Sequence, residues 1–174
     1  QNVIKRILYY FYKFIIAPKR ASSEIAEDKL GLWAGIWWVI IFCLCYSVTA
    51  LIFFLLGHNP VSKPFLIIPL EKWYLVQTFT TLPVGLAGFL SYSGLAYILC
   101  KAARGKGDFD QTFASQAFTF FIPTFIFMWI PETLLAPILI ATGVHTLPWP
   151  DWVENLRIFV FPFAWIFIIS TIAL

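Results

Sequence analysis

Four apolar stretches of bilayer length dominate this chain, and segments of that kind decide which solvent a chain folds in. An α-helix rises about 1.5 Å per residue and the hydrocarbon of a bilayer is about 30 Å thick, so roughly 20 apolar residues cross it. The first stretch runs from Leu32 to Leu56 and the second from Trp73 to Cys100; the third starts near Thr112, and the fourth runs from Asn155 to Leu174. Composition agrees, with 60% of 174 residues hydrophobic and 12% charged, where a soluble domain is about a quarter charged. A soluble globular domain is excluded. The expected fold is all-α, a polytopic transmembrane helix bundle with four visible spans, since a helix satisfies its own backbone in lipid.

The flanks of these stretches bear this out. Trp33, Trp37 and Trp38 open the first span, at the depth where indoles favour the headgroup boundary, and the turn-like Gly57-His58-Asn59-Pro60 closes it. Twenty residues bring the third span to the surface near Pro131 and Glu132, so the apolar piece 133–144 is too short to cross again. That piece is an interfacial or re-entrant segment, or a kinked extension of the third helix. Kinks are expected at Pro123 and Pro162, each of which lacks an N–H. The chain stops at Leu174 inside an apolar run, and a fifth span is expected beyond it.

Before the spans, residues 3–16 have helical periodicity. Val3, Ile4, Ile7, Leu8, Phe11, Phe14 and Ile15 fall on one face, with Lys5, Arg6, Tyr9 and Lys13 opposite. Such a helix suits the membrane interface; packing on the protein's own spans is an equal and compatible reading. Pro18 ends it, and residues 18–29 read as a short solvated helix or turn. The chain thus divides into a cytoplasmic interfacial segment, 1–30, and a transmembrane domain, 31–174.

Orientation follows from the basic residues. Residues 1–30 and the 101–111 loop together hold nine of the twelve Lys and Arg, against three in the 57–72 loop and the 143–157 segment. Alternating spans put the first two regions on one side, and the positive-inside rule makes that side cytoplasmic. The membrane expected is a prokaryotic cytoplasmic membrane. Lys5, Arg6, Lys13, Lys101, Arg104 and Lys106 are the residues expected to meet anionic headgroups there.

The segment Lys101-Ala-Ala-Arg-Gly-Lys-Gly-Asp-Phe109 contains a Gly-Lys pair, but Gly107 follows Lys106 and no strand precedes it, so it is no phosphate loop. It reads as a tight hairpin in which Gly105 and Gly107 supply positive φ and Asp108 or Asp110 caps the next helix. A long helix ending in basic residues, then Gly-Lys-Gly-Asp-Phe, then an aromatic helix broken by Ile122-Pro123, resembles the Yip1 domain family of polytopic membrane proteins. Ile16-Ala-Pro-Lys19 and the acidic run from Glu24 to Asp28 are similar to the beginning of its short prokaryotic members. The resemblance implies five spans. It also implies a role in vesicle traffic with prenylated GTPases for relatives that carry a long cytosolic N-terminus; for the short members it implies a fold rather than a mechanism.

Small residues mark close helix approach. Ala87, Ser91 and Gly94 share a face of the second span, and Gly31 with Gly35 forms a GxxxG at the start of the first. Both sets are expected as packing or partner seams. Glu132 reads two ways, as an acid lining an ion or substrate path or as a carboxylate near the outer interface; span length favours the second. His58 and His145 share the outer side with Glu71, Asp151 and Glu154, yet no spacing assembles them into a metal site. Cys43 and Cys45 point apart on a helix and read as packing residues, while Cys100 sits at the cytoplasmic edge, an acylation position by location. No nucleophile and base pair occurs, so no catalysis and no cofactor are expected. The function expected is noncatalytic association, as a scaffold or accessory subunit, with other integral membrane proteins, with itself or with lipid, and not with nucleic acid. The rival is a transporter or channel subunit with Glu132 near its path.

Overall fold

The computed structural model describes residues 2–60 and 67–142, and every element among them is helical. The fourth span, the kink at Pro162 and the outer residues His145, Asp151 and Glu154 lie outside the described residues. Helix α1 spans Val3–Ile16, capped by Asn2, whose side chain accepts the Ile4 N–H at 3.1 Å. Helix α2, Pro18–Glu27, begins at the proline itself, where a missing N–H costs nothing. Ala21 and Ile25 of α2 are buried, so this segment is a packed helix rather than a solvated turn.

Three long helices follow. Helix α3 is Gly31–Leu55; a 3₁₀ turn, Leu70–Lys72, leads into α4, Trp73–Ala102; and α5 is Phe109–Thr124. From Thr124 the chain continues through a wide π turn, Phe125–Trp129, into α6, Ile130–Ala141. The described part of the 133–144 segment therefore extends the third helix. The π turn lies between Pro123 and Pro131, neither of which has an N–H to donate, and within it the Ile130 N–H reaches back five residues to the Phe125 carbonyl. Gly31–Leu55, Leu70–Ala102 and Phe109–Leu135 are each long and apolar enough to cross a membrane.

The core is an aromatic stack where α1 lies across α3 and α5. Phe14 stacks on Phe118 at 5.5 Å, Trp38 stacks on the same ring at 6.0 Å, and Phe11 meets Trp38 edge-on at 5.3 Å. Each such pair is worth about 0.5–1.5 kcal/mol beyond its buried area. Farther along, Phe42 meets Phe121 at 4.6 Å, and Phe89 of α4 meets Phe121 at 4.9 Å and Phe113 at 5.0 Å. Helix α4 packs on α3 along its length and meets α5 through Phe89.

Candidate functional site

At the end of the bundle formed by α1, α2 and the α4–α5 turn, basic side chains divide into two groups. Arg6 pairs with Asp28, whose Oδ2 also accepts the Tyr10 hydroxyl at 2.9 Å and whose Oδ1 accepts the Leu30 N–H at 2.9 Å. Lys13 pairs with Glu24, which also accepts from the Tyr9 hydroxyl at 2.8 Å and from Arg20 at 3.0 Å. These donors, Lys13 foremost, hold the Glu24 carboxyl down at about 2. Arg6 and Lys13 thus fasten α1 to α2, whereas Lys5, Lys101, Arg104 and Lys106 are exposed. The apolar surface of α1 divides as well. Ile7, Tyr10 and Phe14 are buried on the bundle, while Ile4, Leu8, Tyr12 and Ile16 face outward.

The α4–α5 turn differs from the hairpin expected. Positive φ falls on Arg104, at 67°, and neither Gly105 nor Gly107 has it. Helix α4 ends in a Schellman cap: the Gly105 N–H donates to the Cys100 carbonyl at 2.8 Å and the Arg104 N–H to Lys101 at 3.0 Å, which places Arg104 at the left-handed position. Gly105 serves close approach instead, since a Cβ there would lie 2.8 Å from the Cys100 oxygen. Asp108 then caps α5 in a capping box with Gln111, its N–H donating to Gln111 Oε1 at 3.1 Å. Gln111 also donates to the Ala26 carbonyl at 3.2 Å, and Ser22 meets Ser115 at 2.7 Å, tying α2 to the start of α5. The capping box follows from the Asp-x-x-Gln spacing; the reach to Ala26, 85 positions away, has no local signal.

The two small-residue seams fall in different places. Gly31 and Gly35 are internal: a Cβ on Gly31 would meet the Ile25 oxygen at 2.2 Å, and one on Gly35 would meet Ala114 Cα at 3.0 Å. Ala87 and Ser91 are exposed on α4, Gly94 is half-buried, and a Cβ on Gly88 or Gly94 would meet nothing within 4 Å. Ser91 returns its hydroxyl to the Ala87 carbonyl at 2.9 Å, so this face presents no unmet polar group to lipid. In its most apolar stretch α4 is 11% buried, against 44% for α3 and for the third crossing helix.

At the opposite end of the bundle, Glu132 accepts the Tyr46 hydroxyl at 3.1 Å and the neighbouring Thr133 meets Thr49 at 2.7 Å. Glu132 borders a cavity of about 300 Å³ between α3, the first turns of α4 and the π turn with α6. His58 stacks on Tyr74 at 6.0 Å and meets Phe53 at 5.6 Å, and among the described residues no group of three or more His, Cys, Asp or Glu could hold a metal. Cys43 is buried with its sulfur against Gly85, where a Cβ would come to 2.7 Å, so it packs α3 on α4.

Three crossing helices, with two short helices laid across one end, define a multi-pass integral membrane protein. No family model, no curated protein and no solved structure matches the chain.

Proposed function

We propose that this chain is a noncatalytic, Yip1-like membrane protein that acts by association, as a scaffold or accessory subunit for other integral membrane proteins or for copies of itself. Its place is a prokaryotic cytoplasmic membrane, with α1, α2 and the α4–α5 turn on the cytoplasmic face and the exposed lysines there toward anionic lipid. One observation carries the reading. Helix α4 is as long as a span needs to be, packs on α3 and α5 with only 11% of its most apolar stretch buried, and turns a face of small residues outward. Association of helices in lipid is driven by van der Waals packing, and small residues let backbones approach.

Ser91→Leu and Gly94→Leu test this on native electrophoresis of protein extracted in mild detergent. Both are expected to shift a larger species to the monomer while the melting temperature of the monomer stays put, because a side chain at position 94 has open space. Unchanged assembly in both variants overturns the reading. The Glu132 cavity favours a second reading, a conduit. Loss of solute flux in Glu132→Gln proteoliposomes, with assembly intact, would put that reading in its place.

A further inference from the structure

We infer that the first turn of α1 holds one anionic phospholipid, with an acyl chain in an apolar cavity between α1 and α3 and the headgroup in a basic cavity on the other side of that turn. The apolar cavity, about 490 Å³, is lined by Val3, Ile4 and Ile7 of α1 and by Trp37 and Ile41 of α3. The basic one, about 300 Å³, is lined by Lys5, Arg6, Tyr9, Tyr10 and Asp28. Asn2 borders both, so a single molecule reaches from one to the other around the end of the helix.

Packing sets the depth of each cavity. Arg6 and Lys13 turn one side of α1 to α2, and by helical spacing Ile4 lies opposite them. Ile4 is 62% exposed and Trp37 is 47% exposed, so this corner between two helices is not filled by the protein itself. Trp37 and Ile41 stand six and ten residues into α3, roughly 9 and 15 Å from its start at the helical rise. The apolar corner therefore lies on the hydrocarbon side of α1, and the basic cavity, beside the α2–α3 turn, on the water side. A phospholipid has the same order along its length. Between apolar surfaces attraction depends on the number of contacts, and a chain in this corner touches protein on two sides where a convex helix offers one.

Charge selects the headgroup. Arg6 pairs with Asp28, Tyr10 donates to the same carboxylate, and Tyr9 donates to Glu24. Lys5 is exposed and pairs with no acid among the described residues. Two cations against one carboxylate leave the basic cavity positive, and it adjoins the positive end of the α1 dipole. A phosphate that carries no ammonium of its own matches that field; a choline headgroup brings a cation that opposes it. Such a site takes from the proposed function only that α1 lies at a leaflet with anionic lipid. It does not require assembly through α4, and its readout is bound lipid.

The test is native mass spectrometry of the full chain, released into detergent from nanodiscs that hold equal amounts of phosphatidylglycerol and phosphatidylcholine. One phosphatidylglycerol per chain is expected to stay bound in preference to phosphatidylcholine. Lys5→Gln should cut that preference roughly fivefold, the worth of one lysine near an anionic leaflet. Trp37→Ala should lower retention of both lipids. Lys106→Gln, which lines neither cavity, should change nothing; all three positions are exposed. Retention without a headgroup preference overturns the site, as does an equal loss in Lys5→Gln and Lys106→Gln, which would mean diffuse charge. A dimer that appears as lipid is stripped, and fails to form in Trp37→Ala, would put a second copy in the apolar cavity and overturn it too. The wild-type competition decides the matter even where a variant does not fold.

Discussion

Arg104 and Gly57 occupy the same backbone position, two residues past the end of a long helix, and solve it with different residues. At Gly57, φ is 66° and a Cβ would meet nothing within 4 Å, so alanine there meets only conformational strain. At Arg104 the same left-handed φ is carried by a side chain that resists it. The left-handed region costs a non-glycine residue about 1–2 kcal/mol, part of which glycine gives back as entropy in the unfolded chain. Arg104→Gly is therefore expected to stabilise the protein by about 0.5–1 kcal/mol, and Gly57→Ala to destabilise it by about 1 kcal/mol, both read from melts in detergent. Gly31 presents the opposite case: its constraint is the Ile25 carbonyl, so Gly31→Ala is expected to lose several degrees of melting temperature whatever its φ. The hairpin glycines show where sequence reading stops. Gly-Lys-Gly suggests positive φ at the glycines, but the Schellman geometry counts back from the last helical residue, and no local signal separates Ala102 from Ala103 as that residue.

Helix α1 is held to α2 by two ionic clusters, and the one at Glu24 makes its docking depend on pH. Glu24 has its carboxyl lowered from 4.5 to about 2 by hydrogen bonds from Lys13 and Tyr9. A depressed folded-state value means the contribution is whole above the unfolded value and is lost as protons bind on the way down through the folded one. Docking of α1 should thus hold above pH 4.5 and weaken progressively toward pH 2. Hydrogen exchange of the α1 amides across that window measures it, with Glu24→Gln expected to show the low-pH exchange pattern already at neutral pH. An exchange profile in Glu24→Gln identical to wild type would sink the argument. The boundaries of α1 are legible in sequence because its periodicity runs to a proline at position 18. Its two neighbours are not. One broad apolar arc holds both the buried set at Ile7 and Phe14 and the outward set at Ile4 and Leu8, and periodicity cannot divide an arc between two partners. Likewise Arg6 and Lys13 read as headgroup contacts until α2 brings Asp28 and Glu24 beside them. The continuation of α5 into α6 is one of the alternatives the sequence leaves open: prolines at 123 and 131 fit a kink or a stop equally, and the π turn between them keeps the helix going.

On the scale of the whole molecule, two independent arguments place residues 1–30 and 101–111 at one end, and the charge count sets which side that end is expected to face. Charge counting puts residues 1–30 and 101–111 on one side because they carry most of the Lys and Arg. Packing puts them on one side without reference to charge: Gln111 reaches the Ala26 carbonyl, Ser22 meets Ser115, and the short α2–α3 turn leaves α2 at the start of α3. Pairing of Arg6, Lys13 and Arg20 with acids does not weaken the rule, which counts Lys and Arg and gives acids little weight. Six further basic residues at this end, Lys5, Lys19, Lys29, Lys101, Arg104 and Lys106, remain exposed to water and headgroups. The expected topology is accordingly cytoplasmic at α2 and external at the end of α3. Single cysteines at Ser23 and Asn59, both exposed, test it in a background with Cys43→Ala, Cys45→Ala and Cys100→Ser. In intact cells a membrane-impermeant thiol reagent should modify position 59 and spare position 23, and lysis should expose position 23. Labelling at 23 with protection at 59 would invert the molecule. The basic end would then face outward, and the cavity beside Glu132 would open to the cytoplasm.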